Sequence, residues 1–229
     1  MTVSSPPSNL PRVSYVPPAD TGLNVLYQDD FLLVVDKPEG LLSVPGRGDD
    51  RQDCLVSRVQ REVPDALIVH RLDMATSGLL VLARGEQVHR QLSRQFQDRE
   101  VDKCYVAVVC GLLTQEAGEV NLPLITDWPN RPLQMVCHER GKPSLTRYRV
   151  LARDLERGET RVALEPVTGR SHQLRVHMLA LGHPIAGDPF YGDADSQGRA
   201  PRLLLHAAEL SLRHPVTGQA LRLHSPAPF

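Results

Sequence analysis

A histidine, an arginine and an aspartate fall within four residues at His70-Arg71-Leu72-Asp73, and the polar stretch continues through Thr76, Ser77 and Gly78. It then runs straight into the apolar segment Leu79-Leu80-Val81-Leu82-Ala83. A loop that holds an imidazole, a guanidinium and a carboxylate and is fused to a buried strand presents its side chains from a rigid base, the layout an active site needs. Taken alone, Asp73 reads more readily as a residue that caps or turns the chain, with Thr76 and Ser77 bonding local backbone. A second concentration of chemistry lies between Thr168 and His183, where Arg170, His172, Arg175, His177 and His183 occur without an acidic residue. From Arg131 to Arg153 the chain carries Arg131, Arg140, Lys142, Arg147, Arg149 and Arg153 against Glu139 alone. A positive patch can therefore form on a chain whose net charge is only −1.

The elements that must position these groups are mostly strands. Val25-Leu26-Tyr27, the turn at Asp29-Asp30 and Phe31-Leu32-Leu33-Val34-Val35 read as a hairpin stopped by Lys37-Pro38, with a Gly- and Pro-rich loop after it. Leu79 to Ala83 and Tyr105 to Val109 read as buried strands. Residues 146–151 and 160–165 read as alternating strands, and Leu203 to Leu212 with Ala220 to Leu223 as a closing hairpin. Apolar spacing predicts helices over 53–62, 86–98 and 171–181, the last ended by Gly182. Many strands, few short helices and no regular βαβ alternation predict an α+β fold around a largely antiparallel sheet.

Length and composition narrow the class. With 229 residues, 41% hydrophobic and 23% charged, the chain has the make-up of a soluble globular protein with one continuous core. Residues 1–22 hold Pro6, Pro7, Pro11, Pro17 and Pro18 and too few periodic apolar positions for a core element, so they read as a flexible or draped leader before a domain spanning 23–229. Cys54, Cys104, Cys110 and Cys137 contain no Cys-x-x-Cys pair and read as free thiols of a reducing cytoplasm. The absence of a signal-like start or a long apolar run argues against secretion and membrane insertion.

Four separated motifs carry a resemblance. His70-Arg71-Leu72-Asp73 followed by Thr76-Ser77-Gly78-Leu79-Leu80 resembles the signature of the RluA family of pseudouridine synthases. The stretch from Asp36 to Pro45, Lys103-Cys104-Tyr105, and Gly169-Arg170-Ser171-His172-Gln173-Leu174-Arg175-Val176-His177 resemble that family's other motifs, in the family's order. The resemblance covers roughly Leu23 onward and implies the pseudouridine synthase catalytic fold, with short helices flanking the sheet and a central active-site cleft. It implies a reaction without cofactor or metal, in which the N-glycosidic bond of a uridine breaks, the uracil turns while bound, and carbon rejoins the ribose.

The same resemblance assigns roles. Asp73 becomes the essential carboxylate, acting on the ribose as nucleophile or as base, a choice the sequence leaves open. Arg175 becomes the basic partner of Asp73, where alone it would be a solvated helix position or a phosphate contact. Tyr105 becomes the tyrosine that stacks on the target base, where alone it would be a strand-end core aromatic. Arg71 is the candidate to hold the flipped nucleotide or fill the space it leaves, with a structural ion pair as the alternative. Leu174 is expected to wall the uracil pocket or, failing that, to be core. His70, Arg170 and His172 are expected to contact RNA, and no metal site is expected. Asp127-Trp128-Pro129-Asn130-Arg131-Pro132, Gly141-Lys142-Pro143 and Met74-Ala75 are similar to a compact family member that acts on both 23S rRNA and the anticodon stem-loop of tRNAs. No separate N-terminal RNA-binding domain, no membrane and no obligatory protein partner are expected, and the chain reads as a monomer. A synthase restricted to one RNA site and a non-catalytic RNA-binding protein are the competing readings.

Overall fold

Residues 15–229 are described by a computed structural model. In chain order the elements are β1 (Val25–Gln28), β2 (Leu32–Lys37), α1 (Leu55–Glu62), β3 (Ala66–Ile68), β4 (Ser77–Arg84), α2 (Gly85–Gln97), β5 (Asp102–Cys110), β6 (Ala117–Asn121), β7 (Leu124–Thr126), β8 (Gln134–Val136), β9 (Leu145–Asp154), β10 (Glu159–Pro166), α3 (Gln173–Ala180), α4 (Ala194–Gly198), β11 (Leu205–Arg213) and β12 (Ala220–His224). The strands and the three helices expected from the sequence are present, and the α+β class holds. β3, β6, β7, β8 and α4, all of five residues or fewer, are too short to leave a periodic signal in the sequence.

The main sheet has the order β1-β2-β4-β11-β5-β10-β9-β6, with β3 also pairing β4 and β12 also pairing β11, while β7 and β8 form a separate hairpin. Among the described residues every pairing is antiparallel except β4 with β11. That parallel contact, His206 opposite Ser77 and Ala207 opposite Gly78, joins the two halves of the sheet. Gly78 is required there. Its φ is 113°, and a Cβ at this position would lie 2.4 Å from the Ala207 carbonyl oxygen.

Burial on both faces explains why β2 and β4 read as unbroken apolar runs. Leu33, Val35, Leu80 and Leu82 pack with Leu55, Val56 and Val59 of α1. Their neighbours Leu32, Val34, Leu79 and Val81 pack on the opposite face with Val88 and Leu92 of α2, as the two-residue period of a strand dictates. A third cluster joins Ala107 and Val109 of β5, Val162 and Leu164 of β10, and Leu174 and Met178 of α3. Residues 1–14 of the expected leader lie outside the described residues. Its remainder is held against α1 rather than free: the buried Tyr15 hydroxyl donates to the Asp53 carbonyl, and Arg58 donates to the Pro18 carbonyl. The four cysteines are free thiols. No helix among the described residues is long and apolar enough to cross a membrane.

Candidate active site

The loop from β3 to β4 is fastened on both sides of Asp73. Ser43 Oγ donates to the Leu72 carbonyl and accepts from the Leu72 amide, at 2.7 and 3.1 Å. On the other side, Lys37 Nζ donates to the Met74 carbonyl at 3.1 Å, and the Thr76 amide closes a turn onto the Asp73 carbonyl. Lys37 also donates to the carbonyls of Pro38 and Leu41, so one fully buried ammonium draws together the loop after β2 and the loop of Asp73. Burial pushes Lys37 down to about 7, opposed first by the charge of Asp73. Downstream, Ser77 Oγ meets the buried His206 ring at 2.8 Å and accepts from Arg202 at 2.6 Å. The backbone on either side of Asp73 is thus fixed while its side chain remains 29% exposed.

Helix α3 brings the opposing charge. All of Gln173 to Met178 is buried, so each polar side chain must find its partner inside. Gln173 bonds the Leu145 carbonyl and Thr146, while His177 bonds Thr146 and the Leu122 carbonyl. Arg175, 2% exposed, forms a two-pronged pair with Asp188 at 2.8 and 2.6 Å and turns its remaining nitrogen to Asp73 Oδ2 at 3.5 Å. Burial works against the guanidinium, but Asp188 more than offsets it, and Arg175 ionises even more firmly than usual. The rings of Phe190 and Tyr191 lie 5.1 and 5.0 Å from its central carbon, within the range at which a ring face attracts a cation. Asp188 also accepts from the backbone amides of Phe190 and Tyr191. A charged, rigid guanidinium therefore faces a carboxylate that still opens to solvent.

Two further side chains complete the group. Tyr105 packs at the edge of both principal core clusters, and no protein group bonds its hydroxyl among the described residues. Burial, then the charge of Asp73, keeps that hydroxyl protonated at neutral pH. His172 sits at the start of α3 in the left-handed region, with φ 53°. Its Nδ1 meets the Tyr191 hydroxyl at 2.7 Å, and its Nε2 lies 3.9 Å from Asp73 Oδ2.

Of the residues singled out in the sequence, Asp73, Tyr105, His172 and Arg175 come together. Leu174 is buried in the cluster that Tyr105 borders. Arg71 is exposed, and Arg170 is exposed, its side chain making only a long contact to the Pro143 carbonyl among the described residues. His70 is engaged elsewhere: its Nε2 accepts from the Val81 amide at 3.0 Å, its ring stacks on Phe96, and burial pushes it down to about 3. It holds the loop to β4 as a neutral ring. The basic run from Arg131 to Arg153 is divided. Arg147 and Arg153 pair with Glu119 and Glu116, whereas Arg131, Arg140, Lys142 and Arg149 make no ion pair among the described residues. Lys37, Asp188 and Tyr191 were not foreseen. The only sequence signal for Asp188 is its turn-like setting between Gly187 and Pro189, and Lys37, next to Pro38, reads as the end of a strand.

A family model described as RNA pseudouridylate synthase matches residues 31–180. The chain is 53% identical over 216 residues to the "Dual-specificity RNA pseudouridine synthase RluA" of Escherichia coli K12, covering 94% of this chain and 98% of that one. A protein of the same name from Yersinia pestis is 54% identical over 205 residues, covering 90% and 99%. Among solved structures, "Human RNA Pseudouridylate Synthase Domain Containing 1" superposes with a TM-score of 0.79 at 30% identity, covering 93% of this chain and 87% of that one.

Proposed function

Because the chain belongs to the RNA pseudouridylate synthase family, and is an RNA-modifying isomerase of the RluA type, we propose that it converts uridine to pseudouridine in both 23S rRNA and the anticodon stem-loop of tRNAs, with Asp73 as the reacting carboxylate. The similarity to enzymes named dual-specificity supports the pair of substrates. The observation that carries the assignment of Asp73 is its setting. It is the partly exposed carboxylate toward which a buried, charge-balanced Arg175 points, on a loop fastened at both neighbours.

In this reading residues 23–229 form the catalytic domain. The N1–C1′ bond of the uridine breaks, the uracil turns within the site, and C5 bonds to C1′. C5 gives up a proton and N1 takes one. Asp73 acts on the ribose as that bond breaks, held in direction by Arg175. Tyr105, protonated and without a partner for its hydroxyl among the described residues, holds the base. Arg71, exposed beside Asp73, stabilises the flipped nucleotide, since leaving the stack costs a few kcal/mol. Arg131, Arg140, Lys142, Arg149 and Arg170 supply unpaired charge to phosphates, and salt should weaken binding accordingly.

The test uses two transcripts, a tRNA anticodon stem-loop and the matching 23S rRNA hairpin. The wild-type protein should form pseudouridine in both. Asp73→Asn should bind both with little change and lose more than about 1,000-fold in turnover. Retained turnover by Asp73→Asn would remove the carboxylate from the reaction, and modification of one transcript alone would narrow the enzyme to one RNA class.

A further inference from the structure

We infer that His172 is a positioning residue for Asp73: Tyr191 fixes its imidazole in the tautomer that carries the proton on Nε2, the nitrogen facing the Asp73 carboxylate. The inference rests on the reading of Asp73 as the reacting group. Its evidence is a chain of hydrogen bonds that has one consistent direction.

The Tyr191 hydroxyl accepts from the backbone amide of Gln134 at 2.8 Å. That amide can only donate, so one acceptor position on the phenol oxygen is taken. The hydroxyl has a single proton, and His172 Nδ1, at 2.7 Å, is the only acceptor for it among the described residues. Nδ1 is therefore the accepting nitrogen, and a neutral imidazole must carry its proton on Nε2. The charge states agree with this direction. Burial pushes the Tyr191 phenol up to about 12, which keeps its proton in place. Burial also pulls His172 below the ordinary histidine value, ahead of the opposing charge of Asp73, so the ring is neutral at pH 7.

The geometry gives the Nε2–H a target. It lies 3.9 Å from Asp73 Oδ2, the same oxygen that Arg175 approaches at 3.5 Å, and no hydrogen bond to Oδ1 is formed among the described residues. Two donors thus converge on one carboxylate oxygen and leave the other for substrate. Such contacts are commonly long before substrate binds and shorten in the complex. Burial, not charge balance, makes the donor neutral: Arg175 is already matched by Asp188, so Asp73 pulls His172 toward the imidazolium, and desolvation of the ring outweighs that pull.

The fold sets His172 there against local preference. Its φ of 53° is uncommon for a residue with a side chain, and it provides no side-chain cap to α3. The ring is instead held by Phe190, stacked at 5.9 Å, and Tyr191, edge-on at 5.6 Å. A role in starting the helix would not need these contacts. Through the Gln134 amide the β7–β8 hairpin, which carries the exposed Trp128 and Arg131, is linked to the His172 ring by two hydrogen bonds, and the ring stands 3.9 Å from the carboxylate.

The decisive measurement is the ¹⁵N spectrum of the His172 ring in the intact protein at neutral pH. Nδ1 should be pyridine-like and Nε2 pyrrole-like, and Tyr191→Phe should abolish that preference. The reverse tautomer, or an imidazolium, overturns the inference while leaving Asp73 untouched. Kinetically, His172→Ala should lower kcat about 10–100-fold with KM little changed. His172→Gln, whose amide can present an N–H in place of Nε2, should recover most of that loss. Equal kcat in the two variants, or an unchanged kcat in His172→Ala, refutes the positioning role. The assignment of Asp73 fails separately, through Asp73→Asn.

Discussion

Replacing Asp188 with alanine removes the counter-charge of a guanidinium that has no route to water. Asp188 and Arg175 are 1% and 2% exposed and meet through two contacts of 2.6 and 2.8 Å. In Asp188→Ala the nearest remaining anion is Asp73, at 3.5 Å and shared with solvent. Breaking such a buried pair on one side costs about 3–5 kcal/mol. The amides of Phe190 and Tyr191 lose their acceptor as well, which places the cost at about 5 kcal/mol, a large part of an ordinary stability of about 5–15 kcal/mol. Urea unfolding followed by circular dichroism should show that loss, and Tm should fall by about 10–20 °C. Asp188→Asn, which keeps an acceptor for the two amides, should lose less. The double variant Arg175→Met/Asp188→Ala should regain at least about 2 kcal/mol over Asp188→Ala, because no charge is then left buried, yet it should be catalytically poor. As a control, Glu86→Gln breaks the pair between Glu86, 86% exposed, and Arg90, 71% exposed, and should cost less than about 0.5 kcal/mol. If Asp188→Ala stays within about 1 kcal/mol of wild type, or the double variant is no more stable than Asp188→Ala, the pair is not the electrostatic keystone described above.

Lys37 predicts a pH signature. Burial sets its folded value at about 7, below its ordinary 10.5, so between these values the unfolded chain holds more protons and rising pH favours the folded state, by at most about 1.4 kcal/mol per pH unit. From pH 7 to about pH 9 the wild type should therefore gain stability relative to Lys37→Met, and parallel curves would show that the ammonium is not desolvated. Gly78→Ala should destabilise by more than about 4 kcal/mol, because its Cβ meets the Ala207 backbone. Gly85→Ala, with φ 75° but nothing within 4 Å of the new Cβ, isolates backbone strain alone and should cost about 1–2 kcal/mol. Equal losses in the two alanine variants, read by urea unfolding, would mean that the β4–β11 contact yields.

Much of the architecture was legible because its signals are local. The β1–β2 hairpin, α1, α2 and α3 follow from periodicity and turn residues that a short window contains. The pieces that were missed depend on distant partners. Lys37 lies next to Pro38 and reads as the end of a strand, but three carbonyls brought together by the fold make its burial possible. Arg175 was matched to Asp73, yet its stronger partner is Asp188, which nothing in a turn-like Gly-Asp-Pro stretch distinguishes from the other aspartates. His70 carries the opposite lesson: its place in the polar loop suggested RNA, but the Val81 amide and the Phe96 ring occupy it. The uneven basic run shows the same limit, since Glu116 and Glu119 meet Arg153 and Arg147 only across a sheet whose register no short window contains.

The parallel contact between β4 and β11 also governs the order in which the molecule can be completed. Ser77 and His206 are 129 residues apart, and at a synthesis rate of about 5–20 residues per second the start of β4, whose other partners β2 and β3 precede it, waits roughly 6–26 s for β11. During that interval the edge of β4 that β11 will cover is open backbone, a surface able to pair with another nascent chain. Asp36 waits longer still, for Ser225, 189 residues away. The loop of Asp73 thus has its upstream anchors, Ser43 and Lys37, from the start, and gains the partners of Ser77 late.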